Sequence, residues 1–164
     1  MQPDLEKAIL DLSFRMRLLR IMQEDQSPAA SLTERDATIL SLLKKFGKLT
    51  ISQIAEAAPN VSNSTISTNV TKLWRDKKMV SKTITPENQR TTMVELTEKG
   101  KEAIEVFDKL RAERFKTLLQ AIKVTDEEKQ VLLKVIARAI PFFDKHLGLY
   151  KRKRTTETMN SIKT

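Results

Sequence analysis

Residues 61–73, VSNSTISTNVTKL, constrain this chain more than any other stretch. Ile66, Val70 and Leu73 recur at helical spacing and predict a helix with one buried stripe. The other face carries Asn63, Ser64, Thr65, Ser67, Thr68, Asn69, Thr71 and Lys72, with Arg75 following. Serine, threonine and asparagine are poor helix formers because their side chains compete for backbone hydrogen bonds. A solvated face ordinarily uses Glu, Lys, Gln or Arg. A helix that turns hydroxyls and amides outward needs a polar surface to meet, and the base edges and phosphates of DNA are the first candidate. The competing reading is a Ser/Thr-rich loop with accidental periodicity.

The flanking segments favour the helix. Upstream, Thr50 and Gln53 form the ends of a capping box that opens a short helix over 51–58, with Ile54, Ala55 and Ala58 inward. Pro59 and Asn60 break the chain, and Ser62 caps the next helix through a weakened box with Thr65. Two short helices joined by a tight turn make a helix-turn-helix. Downstream, β-formers in 79–84 and 91–96 flank the polar segment 86–90, which predicts a hairpin, or wing. The fold class expected is mainly α with a small β wing: a winged helix-turn-helix flanked by long dimerisation helices.

Further upstream, Asp4 caps a helix reaching about residue 26, with Leu5, Ala8, Ile9, Leu12, Met16, Leu19 and Met22 on one stripe. Phe14, Leu18 and Ile21 begin a second stripe, so the apolar surface is wider than one neighbour covers and calls for a partner. Arg15, Arg17 and Arg20 receive no role. Residues 27–31 are a linker. Thr33 and Asp36 then resemble a capping box for a helix carried by Ile39, Leu40, Leu42, Leu43 and Phe46 and closed by Gly47. Lys48 and Leu49 are expected to add a first short strand to the wing.

In this order and spacing, Leu32-Thr33, residues 39–43, Thr50 with Ile54-Ala55, Ser62 with Ser64 to Ser67, Val70, Leu73, and Leu96-Thr97 with Gly100 carry a resemblance. Together they resemble the MarR family, the multiple-antibiotic-resistance regulators, over residues 32–100. Members of that family are dimeric winged-helix transcription factors, often repressors released by small lipophilic anions, oxidants or metals. The resemblance implies that the helix from Ser62 enters the major groove and the wing reaches the minor groove. It also matches Arg90 to the family's wing arginine. Asn88 stands where the family usually has the aspartate that holds that arginine, leaving Arg90 less constrained or held by Glu87. Asp76-Lys77-Lys78 stands where the family tends to have glycine.

Beyond the wing, Thr97 caps a long helix with Ile104, Val106, Phe107, Leu110, Phe115, Leu118, Leu119 and Ile122 as its apolar positions. Gly100 lies in its first turn, where backbone can pass close. Thr125 and Glu128 open a last helix through another capping box. Val131, Leu132, Val135, Ile136, Ala139, Ile140, Phe142 and Phe143 give it a thick apolar band that a monomer of this size does not bury. Pro141 is expected to kink or end this helix, and Gly148 to stop it. The organisation expected is thus 1–26, an N-terminal dimerisation helix; 32–96, a winged helix-turn-helix; 97–147, C-terminal dimerisation helices; and 148–164, a basic, disordered tail. Its four consecutive basic residues, 151–154, are read equally as a phosphate-contacting patch or as a solubilising tail.

Composition narrows the chemistry. The chain has no cysteine, which excludes thiol redox and thiolate ligation, and one histidine, His146, which leaves no histidine-rich metal site. The three glycines do not make a phosphate loop. No catalytic constellation, cofactor or metal is expected. No long apolar span or signal sequence is visible, so the expected location is cytoplasmic, without membrane. A net charge of +9 favours an anionic partner.

The leading expectation is a homodimeric, sequence-specific transcriptional regulator, in the sense of a repressor. Its DNA-binding residues are Ser62, Asn63, Ser64, Thr65, Ser67, Thr68, Asn69, Lys72, Arg75 and Arg90. The partner expected is duplex DNA carrying a pseudo-palindromic, A·T-rich operator, because the first turns of the helix offer Asn63 for adenine and Thr65 and Thr68 methyls for thymine, with no arginine for guanine. Family resemblance adds a small lipophilic anionic effector, with Met16, Leu43 and Phe46 as candidate lining. The alternatives are an architectural DNA-binding protein without a dedicated operator and a helical protein-interaction module.

Overall fold

The structure is a computed structural model that describes residues 4–23, 32–58, 61–85 and 88–146, with side chains at 20–23, 85 and 88–90 left out of the description. The linker at 27–31, the break at Pro59-Asn60, the hairpin tip with Glu87, Gly148 and the basic tail lie outside the described residues. Two compact units are separable, Met1–Thr33 and Glu34–Thr164.

The first unit contains α1, Leu5–Gln23. Asp4 opens it as expected: its carbonyl accepts the Ala8 N–H at 3.0 Å and its carboxylate accepts the Glu6 N–H at 3.3 Å. Its described apolar side chains are exposed, apart from the half-buried Met16.

The second unit runs α2 (Glu34–Phe46), β1 (Leu49–Thr50), α3 (Ile51–Ala57), α4 (Asn63–Arg75), β2 (Val80–Thr85), β3 (Asn88–Leu96), α5 (Glu98–Ala121) and α6 (Asp126–His146). Each boundary has a local cause. Gly47, at φ +75°, closes α2 by donating its N–H to Leu43. Thr50 and Gln53 form the reciprocal capping box of α3, with bonds of 3.1 and 2.8 Å. Thr97 Oγ1 caps α5 by accepting the Gly100 N–H, and Thr125 and Glu128 repeat the box at α6.

The three strands form one antiparallel sheet in the order β1-β3-β2, with Leu49 opposite Val94 and Val80 opposite Leu96. The short strand expected at Lys48-Leu49 is present one residue later, and it pairs with the second wing strand. Ile39, Leu40 and Leu43 of α2, Ile54 of α3, Ile66, Val70 and Leu73 of α4, Val80 and Val94 of the sheet, and Ile104 of α5 make one closed core. Leu43 and Phe46 belong to that core rather than to an open space.

Pro141 does not end α6, which continues through it to His146. Proline removes one N–H from the ladder, and the helix keeps its other turns on both sides. No residue of α6 is buried within the single chain. Among the described residues no helix is long and apolar enough to cross a membrane.

Candidate nucleic-acid interface

The periodicity that buries Ile66, Val70 and Leu73 leaves α4 with one polar face outward. Ser62, Asn63, Ser64, Thr68, Lys72 and Arg75 are exposed on it, and Thr65, Ser67, Asn69 and Thr71 are half-buried at its margins. The nine helix-region positions singled out from the sequence are therefore all exposed or half-buried, and none lies in the buried stripe. The tenth, Arg90, lies on β3, and its side chain is among those left out of the description.

At the start of α4 the hydroxyls organise one another. Ser62 Oγ accepts the Thr65 N–H at 3.2 Å and lies 2.9 Å from both Ser64 Oγ and Thr65 Oγ1. The box is thus half-formed: Ser62 caps the backbone, while Thr65 Oγ1 meets the Ser62 hydroxyl where a longer Glu or Gln would reach the N-cap backbone N–H. Thr68 donates its hydroxyl back to the Ser64 carbonyl at 3.0 Å, which uses its donor and leaves the oxygen's acceptor capacity and the methyl. Asn63 is exposed in the first turn. Donors, acceptors and methyls at fixed heights along one helix face are the features needed to read base edges.

The end of α4 has a different character. Ser67, Thr68, Thr71, Lys72, Arg75 and Asp76 line a shallow depression of about 330 Å³. Lys82 of β2 donates to Thr71 Oγ1 at 2.9 Å and stands 5.0 Å from the centre of the Trp74 ring, while the Arg75 guanidinium lies 5.7 Å from the same ring. Trp74 is 42 % exposed. Burial first, and then the neighbouring Arg75 charge, hold the Lys82 ammonium below the usual 10.5. Trp74 and Lys82 were not foreseen as site residues. The visible clue was an indole adjoining Arg75 at a position outside the buried stripe; what brings Lys82 to it is the pairing of β2 behind α4, which no local pattern encodes.

The turn after α4 settles where the helix ends. Asp76 caps it through an N–H to the Lys72 carbonyl, Lys78 takes φ +57°, and the Met79 N–H reaches back to Leu73 at 2.9 Å. Lys78 thus occupies the left-handed conformation in which a glycine would be unstrained. Lys77 turns inward to the buried Asp36 carboxylate at 2.7 Å, tying the end of α4 to the first turn of α2. Among the described residues no group of three or more His, Asp or Glu side chains is placed to hold a metal ion.

No curated protein matches the chain. Among solved structures, a MarR family protein from Bacillus stearothermophilus superposes with a TM-score of 0.70 at 19% identity, covering 85% of this chain and 92% of that one. A mutant of MarR from E. coli gives a TM-score of 0.68 at 18% identity, covering 86% and 99%. BpsR of Bordetella bronchiseptica, whose DNA binding is regulated by 6-hydroxynicotinic acid, gives 0.59 at 16% identity, covering 83% and 98%. The MarR resemblance read from the sequence is thus met in the fold. The family model that matches is the HxlR-like helix-turn-helix, over residues 33–123, which spans the winged helix and α5. The chain belongs to the HxlR-like helix-turn-helix family of DNA-binding transcription regulators and carries the winged helix of the MarR type.

Proposed function

We propose that the protein is a homodimeric, cytoplasmic repressor that places α4 in the major groove and the β2–β3 wing along the minor groove of an A·T-rich, pseudo-palindromic operator. The observation that carries this reading is the outward face of α4: hydroxyls and an amide in its first turns, cations only at its end. Asn63 pairs with adenine, and the Thr65 and Thr68 methyls pack on thymine. Arg90 enters the narrow minor groove that A·T tracts provide. The apolar faces of α1, α5 and α6 supply the interface with a second copy, and two-fold symmetry of the protein imposes two-fold symmetry on the operator.

An effector of the aromatic-acid class releases the DNA, a reading supported by the regulation of BpsR by 6-hydroxynicotinic acid. Without cysteine the chain has no thiol switch, so such release proceeds by ligand binding rather than by thiol oxidation.

Selection of bound sequences from random duplex tests the proposal. The expected outcome is a two-fold site with A·T pairs under the first turns of α4 and affinity at least a hundredfold above random duplex, roughly the lower end for specific binders. Random duplex bound within about tenfold of the best selected site would instead make this an architectural protein.

A further inference from the structure

Three cations gather at the C-terminal end of α4: Lys72 and Arg75 on the helix, and Lys82 beside them on β2. Among the described residues none of them has a carboxylate within ion-pair distance, whereas Lys44, Lys45, Lys48, Lys77 and Lys101 of the same unit are each paired with one. Asp76 shares the depression with Lys72 and Arg75 and forms no ion pair there. Lys82 is held instead by a neutral hydroxyl, Thr71 Oγ1, and by the face of Trp74. A half-buried ammonium beside a guanidinium is an unfavourable arrangement, because desolvation and like-charge repulsion act together. An anion between them relieves both.

The position of the cluster says which anion. Asn63 and Arg75 are twelve residues apart on one helix, or about 18 Å at the α-helical rise. The major groove is only about 12 Å wide. With the first turns of α4 over base edges, its last turn therefore stands over the phosphate backbone. We propose that Lys82 and Arg75 clamp one backbone phosphate of the bound duplex, with Trp74 as the positioning residue that holds both cations beside the end of α4. This assignment rests on the DNA-binding reading of α4 and adds to it a contact from β2 that carries affinity without sequence information. Trp74 favours this role because a cation over an indole face keeps its N–H donors free for an acceptor beyond the ring.

The test uses the full chain, a selected operator duplex and a scrambled duplex of equal length. Trp74 is the only tryptophan in the chain, so its emission reports on the cluster directly. Saturating duplex should change that emission in the wild type. Lys82→Gln should weaken both duplexes by a similar factor, roughly tenfold for one charge-assisted hydrogen bond. Because Lys82 and Arg75 share one phosphate, only Lys82→Gln combined with Arg75→Gln should make the slope of log affinity against log salt shallower by about one unit, one phosphate released. Lys82→Arg should keep the affinity of the wild type for both duplexes, and Trp74→Phe should retain most of it. Asn63→Ala, by contrast, should narrow the gap between the two duplexes and leave the slope unchanged. An unchanged slope in the double variant, with or without lost affinity, overturns the clamp, as does tryptophan emission indifferent to bound duplex. A wild-type chain that binds neither duplex at low salt overturns the DNA-binding reading itself, a result distinct from either.

Discussion

Lys78 and Gly100 meet at one junction and have opposite tolerances. Lys78 is left-handed at φ +57°, while Thr97 Oγ1 donates to its carbonyl at 2.8 Å and the Thr97 N–H donates to the Met79 carbonyl at 3.1 Å. These bonds hold the start of α5 against the turn that ends α4. A left-handed lysine costs about 1–2 kcal/mol, part of which glycine returns as unfolded-chain entropy. Lys78→Gly should therefore stabilise by ~0.5–1 kcal/mol, raising the melting temperature by about 1–4 °C. At Gly100 an added methyl would land on the Met79 carbonyl oxygen, with Leu96 Cδ2 3.2 Å away. Gly100→Ala should destabilise by ~2–3 kcal/mol in the same thermal melt, as overpacking against backbone. At the reading face, Asn63→Ala should cost ~1–3 kcal/mol on the operator, the worth of one bidentate base contact, and little on random duplex. Equal losses on the two by fluorescence anisotropy would remove Asn63 from base readout.

At the scale of elements, α4 is fixed from both ends. Its start is held by the Ser62 cap, and its buried stripe packs into the core through Ile66, Val70 and Leu73. Its end is tied by Lys77 to Asp36, whose carboxylate side chain is only 5% exposed against 24% for the lysine. Removing the lysine takes a cation from a carboxylate that water barely reaches, so Lys77→Ala should cost ~1.5–3 kcal/mol by urea unfolding, the worth of one hydrogen bond to a charged group. A cost under about 0.5 kcal/mol, as at an ordinary surface position, would show that the pair does not hold the end of α4. The exposed pairs Lys44–Asp108 and Lys48–Glu95 link α2 to α5 and the β1 end to β3. At the surface they contribute under about 1 kcal/mol each.

For the whole molecule, α6 raises the question of what covers it. Leu132, Ile136, Ile140 and Phe143 are 46, 49, 54 and 58% exposed, and within the second unit an ion pair of Lys45 with Asp144 at 3.7 Å ties α6 to α2. A helix so apolar and so uncovered is unfavourable in water, with ~25 cal/mol lost for every Å² of apolar surface left exposed. The proposed second copy would cover it. Sedimentation should give a dimer at micromolar concentration, and Ile136→Glu should shift it to monomer while weakening operator binding at least tenfold, since one half-site is then read alone. A stable wild-type monomer at that concentration would leave the apolar band without its occupant and would break the two-fold operator argument.

The caps and stripes were legible before the structure because they are local. Thr50 with Gln53, Ser62 with Thr65, and Thr97 with Gly100 act across three residues, and the Ile66-Val70-Leu73 stripe needs only the helical repeat. The face of α4 followed from the same repeat, since burying one side of a helix leaves the other outward. Two features depended on tertiary contact, and a third on the cooperativity of one long helix. Asp36 reads locally as a capping acid, yet it receives Lys77 from 41 residues away. Lys82 falls in the segment 79–84 expected as a wing strand and was given no role, yet the antiparallel pairing of β2 brings it to Trp74 and Thr71. Pro141 reads as a helix breaker, yet α6 runs through it, because one lost N–H does not outweigh the bonds of the turns on either side. The sequence alone determined the elements and the outward chemistry of α4, which short-range hydrogen bonds and periodicity specify. Only the tertiary structure decided which distant charges meet, because that depends on how β2 and α2 pack against the end of α4.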